Sequence, residues 1–339
     1  MIAARGLTKF YGDNCALDGL NFEIAEGEIV GILGLNGAGK TTCLRILACL
    51  LLPSSGTVTI NGVDIVEQPH ETRKLVGFLP DDPPLYREMT VEAYLTFAGE
   101  IRGLGRAEAA RRLEAVLETT ETADVRGEII ADLSHGYRQR VGIAQSMIHG
   151  PPVLILDEPI SGLDPAQIKE MRELVRSLRG AHTILLSSHI LSEISQTCDR
   201  ILVLHEGRLI ASGTEEDLAT GSGVNRLQLM VRGDREKVAE LVLGTDGVTT
   251  CVVADQVEGA PFRGEPRELV HQFRVETTAD VREVLAREIV GAGYGLLQLG
   301  PAEAGLESAF LQLTRRTEGA AAIGAPPATA TAPREEGAR

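Results

Sequence analysis

Three short clusters, far apart along the chain, carry side chains able to hold and attack a polyphosphate. The first is Gly34-Leu35-Asn36-Gly37-Ala38-Gly39-Lys40-Thr41, followed by Thr42. It satisfies the pattern G-x-x-x-x-G-K-[ST]. Glycines let the backbone curl so that consecutive N–H groups face one anion, which makes Gly34, Asn36, Gly37, Ala38, Gly39 and Thr42 candidate nucleotide contacts. Lys40 can reach the β- and γ-phosphates, and Thr41 can offer its hydroxyl to Mg²⁺. The second cluster is Asp157-Glu158. Asp157 can hold Mg²⁺ directly or through water, and Glu158 can polarise an attacking water. The third is His189, able to donate to a γ-phosphate and orient that water. An apolar run ending in acids is common, and a lone histidine is more often structural. Pairing them with the Lys40 loop, about 115 residues upstream, makes a nucleoside triphosphate site the better reading.

These clusters need elements that hold them still. The loop follows the apolar run Ile29-Val30-Gly31-Ile32-Leu33, a buried strand by composition, and residues 42–50 read as a helix. Strand, glycine-rich turn and helix is the context that the loop requires, and the helix N-terminus adds its own positive end. Val153-Leu154-Ile155-Leu156 leads into Asp157, and Thr183-Ile184-Leu185-Leu186-Ser187 leads into Ser188-His189. Two buried strands ending in polar clusters place those clusters at the carboxyl edge of an open α/β sheet, where such folds bind ligands.

Elsewhere, residues 2–31 read as short strands, and Tyr11 lies ahead of the phosphate loop. Tyr11 could stack on a nucleotide base or be a half-buried strand aromatic. Residues 57–63 read as a strand with a turn at Asn61-Gly62, and 75–79 as another that ends at Pro80-Asp81-Asp82-Pro83-Pro84. Helical patterning between about 90 and 150 interrupts the strand–helix alternation and predicts a separate helical lobe. Further strands and helices follow to residue 220, with a linker at 220–223. Beyond it, the pattern predicts strand 226–231, helix 235–243, strands 248–253 and 269–275, helix 279–290 and strand 295–299, a βαββαβ order. A last helix is expected over 303–314, and residues 317–339, rich in Ala, Pro, Gly and Glu, read as a disordered tail.

The net charge of −15 argues against a nucleic-acid partner. The five cysteines show no C-x-x-C spacing, so neither a zinc site nor a disulfide framework is expected. No stretch reaches the length of a membrane span, and residues 1–6 show no signal-peptide core. The protein is expected in the cytosol, touching the membrane only through a partner.

In order, the chain shows Tyr11, GLNGAGKTT, LSHGYRQR at 133–140, LILDEP at 154–159, SGLD at 161–164 and SSH at 187–189. Over roughly the first 220 residues this resembles the ATP-binding subunit of an ABC transporter. The resemblance implies an α/β fold over 1–220: a P-loop RecA-like core, an antiparallel β lobe and a helical lobe. The pattern beyond it reads as a small α+β C-terminal domain over 224–315, consistent with a ferredoxin-like unit. It implies ATP and Mg²⁺ as ligands. It also implies a head-to-tail homodimer or heterodimer of ATP-binding subunits, served by an integral membrane permease. Each ATP would lie between one subunit's phosphate loop and the other's LSHGY segment. Ser134, Gly136 and Tyr137 would contact the nucleotide, and Asp164 would lie in a dimer-interface loop. The usual family segment is LSGGQ; here His135 replaces the first glycine and Tyr137 the glutamine, while Ser134 and Gly136 are kept. Asp81 stands where the family often has a glutamine that contacts Mg²⁺ and senses the permease, so it is a further metal candidate. LPDDPPLYREMTV and LSHGYRQRVGIAQ resemble the subgroup serving ABC-2-type exporters, including gliding-motility-associated systems. An importer ATPase with a regulatory C-terminal domain and a non-transport ABC ATPase remain as alternatives.

Overall fold

The computed structural model describes residues 1–220, 225–258 and 269–301. In chain order, β1 (Ile2–Tyr11), β2 (Asn14–Ile24), β3 (Ile29–Leu33), α1 (Lys40–Leu47), β4 (Ser55–Ile60), β5 (Val63–Asp64), α2 (Pro69–Leu75) and β6 (Val76–Leu79) come first. Then α3 (Val91–Ile101), α4 (Arg106–Thr119), a 3₁₀ turn at Ile130–Asp132 and α5 (His135–Met147) form the helical lobe. The core resumes with β7 (Val153–Leu156), α6 (Pro165–Ser177), β8 (Thr183–Ser188), α7 (Leu191–Ser195), β9 (Arg200–His205), β10 (Arg208–Gly213) and α8 (Glu215–Thr220). Last are β11 (Asn225–Arg232), α9 (Arg235–Gly244), β12 (Val248–Glu258), β13 (Leu269–Thr277), α10 (Arg282–Gly291) and β14 (Gly295–Pro301).

The central sheet has the order β10-β9-β3-β8-β7-β6. All its pairs are parallel except β9 with β10. Each interior strand buries side chains on both faces, so alternate residues enter two different cores. Leu154 and Leu156 face the helical-lobe side with Leu113, Val141 and Met171. Val153 and Ile155 face the other side with Leu17, Val58 and Leu44. That is why these strands read as unbroken apolar runs rather than as alternations. The second core is closed by an antiparallel sheet of order β2-β1-β4-β5. β1 and β2 run ten and eleven residues, longer than the short strands predicted, with three shifts of register that bend the pair. The third sheet is antiparallel, of order β12-β13-β11-β14, with α9 and α10 filling its core through Val238, Val242, Leu285 and Ile289.

Sequence expectation and structure differ in a few places. Leu75 ends α2 rather than opening a strand, so the strand is Val76–Leu79. α2 (PHETRKL) has almost no apolar residue to reveal a periodicity. Its signals are Pro69 in the first turn, Glu71 near the N-terminus and Arg73 and Lys74 near the end. α7 has five residues, too few to show a period, and β10 is an edge strand. α10 begins at Arg282 instead of 279. Residues 221–223 of the expected linker, the helix expected over 303–314 and the segment 317–339 lie outside the described residues.

Gly77 shows how tightly helix and sheet approach. A Cβ there would stand 2.1 Å from the Ser146 carbonyl oxygen of α5. Glycine in a strand marks this kind of close backbone approach. Gly77→Ala is therefore expected to destabilise the fold by about 1–3 kcal/mol. A thermal melt should show a fall in Tm of several degrees, while Gly127→Ala, where nothing lies within 4 Å, should melt like the parent. Equal melting of Gly77→Ala and the parent would contradict this packing.

Candidate functional site

The strand ends supply the site. Parallel pairing aligns Leu33 with Ser188 and Val203, and Leu156 with Leu186 and Leu79. The residues after β3, β6, β7, β8 and β9 therefore meet at one edge. There a cleft of about 770 Å³ is lined by Tyr11, residues 35–42, Asp81, Glu158, Ser161, His189, Glu206 and Gly207, among others.

The phosphate loop is shaped by contacts that only glycine allows. A Cβ on Gly34 would lie 2.6 Å from the Leu204 carbonyl oxygen. On Gly39 it would lie 2.6 Å from the Ala16 carbonyl, and Gly39 has φ +103, left-handed, at the N-cap of α1. The loop is tied to the neighbouring turn because Gly207 N donates to Ala38 O at 3.0 Å. No side chain caps α1, so its first N–H groups are not met by a cap and suit an anion.

Lys40 is only 6% exposed. Its Nζ donates to Gly34 O at 2.8 Å and stands 3.3 Å from Glu158 Oε1. Burying an ammonium requires such partners. Glu158 sits at φ +50, a left-handed conformation uncommon outside glycine. Its backbone is pinned there: Glu158 N donates to Ser187 Oγ at 2.9 Å, and Ser187 Oγ donates to Asp157 Oδ1 at 2.7 Å. Ser187 thus orders both acids, a role that sequence reasoning missed. Its only sequence signal is a serine two positions before the strand-end histidine. His189 Nδ1 donates to Glu158 Oε2 at 2.9 Å, so Lys40 and His189 grip opposite carboxylate oxygens.

Thr41 Oγ1 and Asp157 Oδ1 lie 3.4 Å apart. A hydroxyl and a carboxylate side by side suit Mg²⁺, which takes one or two protein oxygens and completes its shell with phosphate and water. The donor set fits the ion. Asp81 lines the same cleft, and burial together with the nearby Asp157 and Glu158 carboxylates pushes its carboxyl above the ordinary range. Tyr11, 48% exposed, ends β1 at the rim, with Lys9 Nζ 5.3 Å from its ring centre. It is an exposed aromatic, not the half-buried one that spacing also allowed.

Ser134, Gly136, Tyr137 and Asp164 do not line this cleft. Ser134 caps α5, its Oγ accepting from Tyr137 N at 3.3 Å. Gly136 backs onto α6: a Cβ there would stand 2.9 Å from the Gln167 side chain. The Tyr137 hydroxyl donates to Asp124 Oδ2 at 2.7 Å, and this bond holds the phenol above its ordinary range. Asp164 caps α6, accepting from Ala166 N and Gln167 N, each at 3.0 Å. One chain thus builds a phosphate cleft and, apart from it, a glycine-bearing helix start.

The ABC transporter family matches residues 17–161. The daunorubicin resistance ATP-binding protein DrrA2 of Streptomyces coeruleorubidus is 34% identical over 319 residues, covering 94% of this chain and 96% of that protein. A solved ATP-binding subunit of an ABC transporter superposes with TM-score 0.60 at 34% identity, over 66% of this chain and 93% of that one. A dimeric ATP-binding cassette in a post-hydrolysis state, bound to ADP and Pi, superposes with TM-score 0.58 at 25% identity, over 63% of this chain and 98% of the other. Phosphate loop, ordered acidic pair, strand-end histidine and near full-length similarity agree: the chain belongs to the ABC transporter family and is an ATP-binding subunit with ATPase activity.

Proposed function

We propose that this chain powers an ABC-2-type exporter by closing head to tail, with a second copy or a related subunit, over two Mg²⁺-ATP. The observation that carries the reading is the separation within one chain of the phosphate cleft from Ser134 and Gly136. Each half is what the other lacks, and in this reading a second subunit brings them together. Export is favoured by the LPDDPP and LSHGYRQR variants and by similarity to a daunorubicin resistance protein that runs through the C-terminal region as well. Residues 1–220 form the ATP-binding domain and 224–315 an accessory domain in this reading. No helix among the described residues is long and apolar enough to cross a membrane. In this reading the chain works at the inner membrane face through a permease.

Lys40 holds the β- and γ-phosphates, and Tyr11 faces the base. Thr41 and Asp157 would hold Mg²⁺, which would neutralise phosphate charge when bound. As Lys40 turns to the phosphates it frees Glu158 Oε1, while His189 still holds Oε2 and keeps the carboxylate aimed. Glu158 then accepts a proton from the attacking water. With Nδ1 donating to Glu158, His189 has Nε2 left for the γ-phosphate, where it donates when the ring carries its second proton. In this reading Ser134 and Gly136 close the site from the other subunit, and Asp164 shapes the loop between the two.

Lys40→Ala is expected to weaken ATP binding at least ~10-fold, the scale for losing a hydrogen bond from a charged group. Unchanged affinity in a calorimetric titration would remove the loop from this role. Glu158→Gln should keep ATP binding, slow hydrolysis by roughly 10²–10⁴-fold and accumulate an ATP-bound dimer on a sizing column. Normal turnover, or a monomer in Mg²⁺-ATP, would count against it.

Asp81→Asn removes one of the carboxylates that share the cleft. It should preserve ATP binding but weaken the dependence of hydrolysis on Mg²⁺ and on the permease. Steady-state ATPase against Mg²⁺, with and without reconstituted permease, checks this. Superimposable curves for the two proteins would reduce Asp81 to a turn residue.

A further inference from the structure

We propose that His135, which stands where the family usually has a glycine, is a positioning residue that ties the start of α5 to the loop joining β7 to α6. His135 Nε2 lies 3.1 Å from the Ser161 carbonyl oxygen. A carbonyl can only accept, so Nε2 carries the proton and donates. The Nε2–Cδ2 edge of the ring also stands close to Gly162: a Cβ at that position would be 3.3 Å from Nε2 and 3.6 Å from Cδ2, and Gly162 has φ +74. A larger residue at 162 would be strained and would crowd the ring. The next residue, Gly136, meets Gln167 of α6 from the same side. The helix start is therefore joined to the core at two adjoining points, one a directed hydrogen bond and one a close packing contact.

The loop it grips belongs to the chain's own phosphate cleft. Ser161 lines that cleft, and Ser161 N donates to Glu158 O at 3.1 Å. Two hydrogen bonds therefore link the Glu158 backbone, through Ser161, to His135, the chain neighbour of Ser134. A glycine in place of His135 has no side chain to make this bond. The helix start would then lose its directed bond to this loop and keep the Gly136 packing on Gln167 and the Arg140–Glu170 ion pair between α5 and α6, so its first turn could move more freely against the loop. With His135, the Ser134 hydroxyl and the Gly136 backbone have a fixed position relative to Glu158 before two subunits meet. This rests on the head-to-tail reading above, in which Ser134 and Gly136 complete the other subunit's site. Preorganising them lowers the ordering cost of closure, so the effect belongs to association and not to the chemical step.

The test separates the donor from the ring. His135→Gln keeps an amide donor at similar reach, whereas His135→Phe keeps the ring and loses the donor. In the full-length protein with Mg²⁺-ATP, His135→Phe should raise the protein concentration giving half-maximal ATPase by about 2–10-fold, the range for one neutral hydrogen bond. The plateau rate and monomer ATP affinity should hold, and His135→Gln should restore the parental curve. A role in packing alone gives the opposite order, with Phe like the parent and Gln impaired, and overturns the proposal. Hydrogen exchange on the nucleotide-free chain is independent of dimerisation. The amides of residues 160–163 should exchange faster in His135→Phe than in the parent or His135→Gln. Equal exchange in all three overturns the tether itself. Faster exchange with unchanged concentration dependence overturns its positioning role. Should Glu158→Gln fail to dimerise while the exchange difference persists, the head-to-tail reading falls, and the positioning role falls with it.

Discussion

A parallel sheet covered on both faces leaves only its strand ends for polar chemistry. In this protein β3, β7 and β8 bury every residue from Ile29 to Leu33, Val153 to Leu156 and Thr183 to Ser188. Water is excluded from both sides, so charged groups can stand only where the strands stop. Lys40, Asp157, Glu158 and His189 are there for that reason. The antiparallel sheet and the helical lobe are the two coverings, and each supplies one of the two cores.

Within that edge the acidic pair is the delicate part. Asp157 is buried, and Glu158 has a backbone conformation that costs an ordinary residue on the order of 1–3 kcal/mol. Ser187 holds both from the neighbouring strand, and Lys40 and His189 hold the Glu158 carboxylate. The strain is borne because three partners, Ser187, Lys40 and His189, over-determine the position. It turns the side chain of a strand-end residue into the cleft instead of along the strand. In the proposed mechanism, phosphates that draw Lys40 away loosen one of these restraints and leave the others, freeing one carboxylate oxygen without losing its aim.

The departures from the usual family segment each have a local physical consequence. Tyr137 bonds Asp124 within the helical lobe, and His135 bonds the loop that edges the cleft. Asp81 adds an acid beside Asp157 and Glu158. Ser134 and Gly136, the two positions kept, are a cap hydroxyl and a close backbone approach to Gln167.

Much of this was legible in the chain. The Gly34–Thr41 pattern between a strand and a helix, the acids after Val153–Leu156 and His189 after Thr183–Ser188 are local signals, because loop conformation and strand burial depend on neighbouring residues. The βαββαβ order after residue 224 also followed from periodicity. What needed tertiary structure was whatever joins distant residues. Nothing near Ser187 in sequence says that its hydroxyl bridges Asp157 and the Glu158 amide thirty positions away, because parallel pairing of β7 with β8 creates that contact. Nothing near His135 points to Ser161, since that bond exists only once the helical lobe packs on the core. The polar helix α2 and the five-residue α7 were also decided by packing, because neither has enough apolar positions to show a period. Residue type and spacing named the chemistry; the pairing of strands and the packing of the helical lobe decided which groups hold one another in place to perform it.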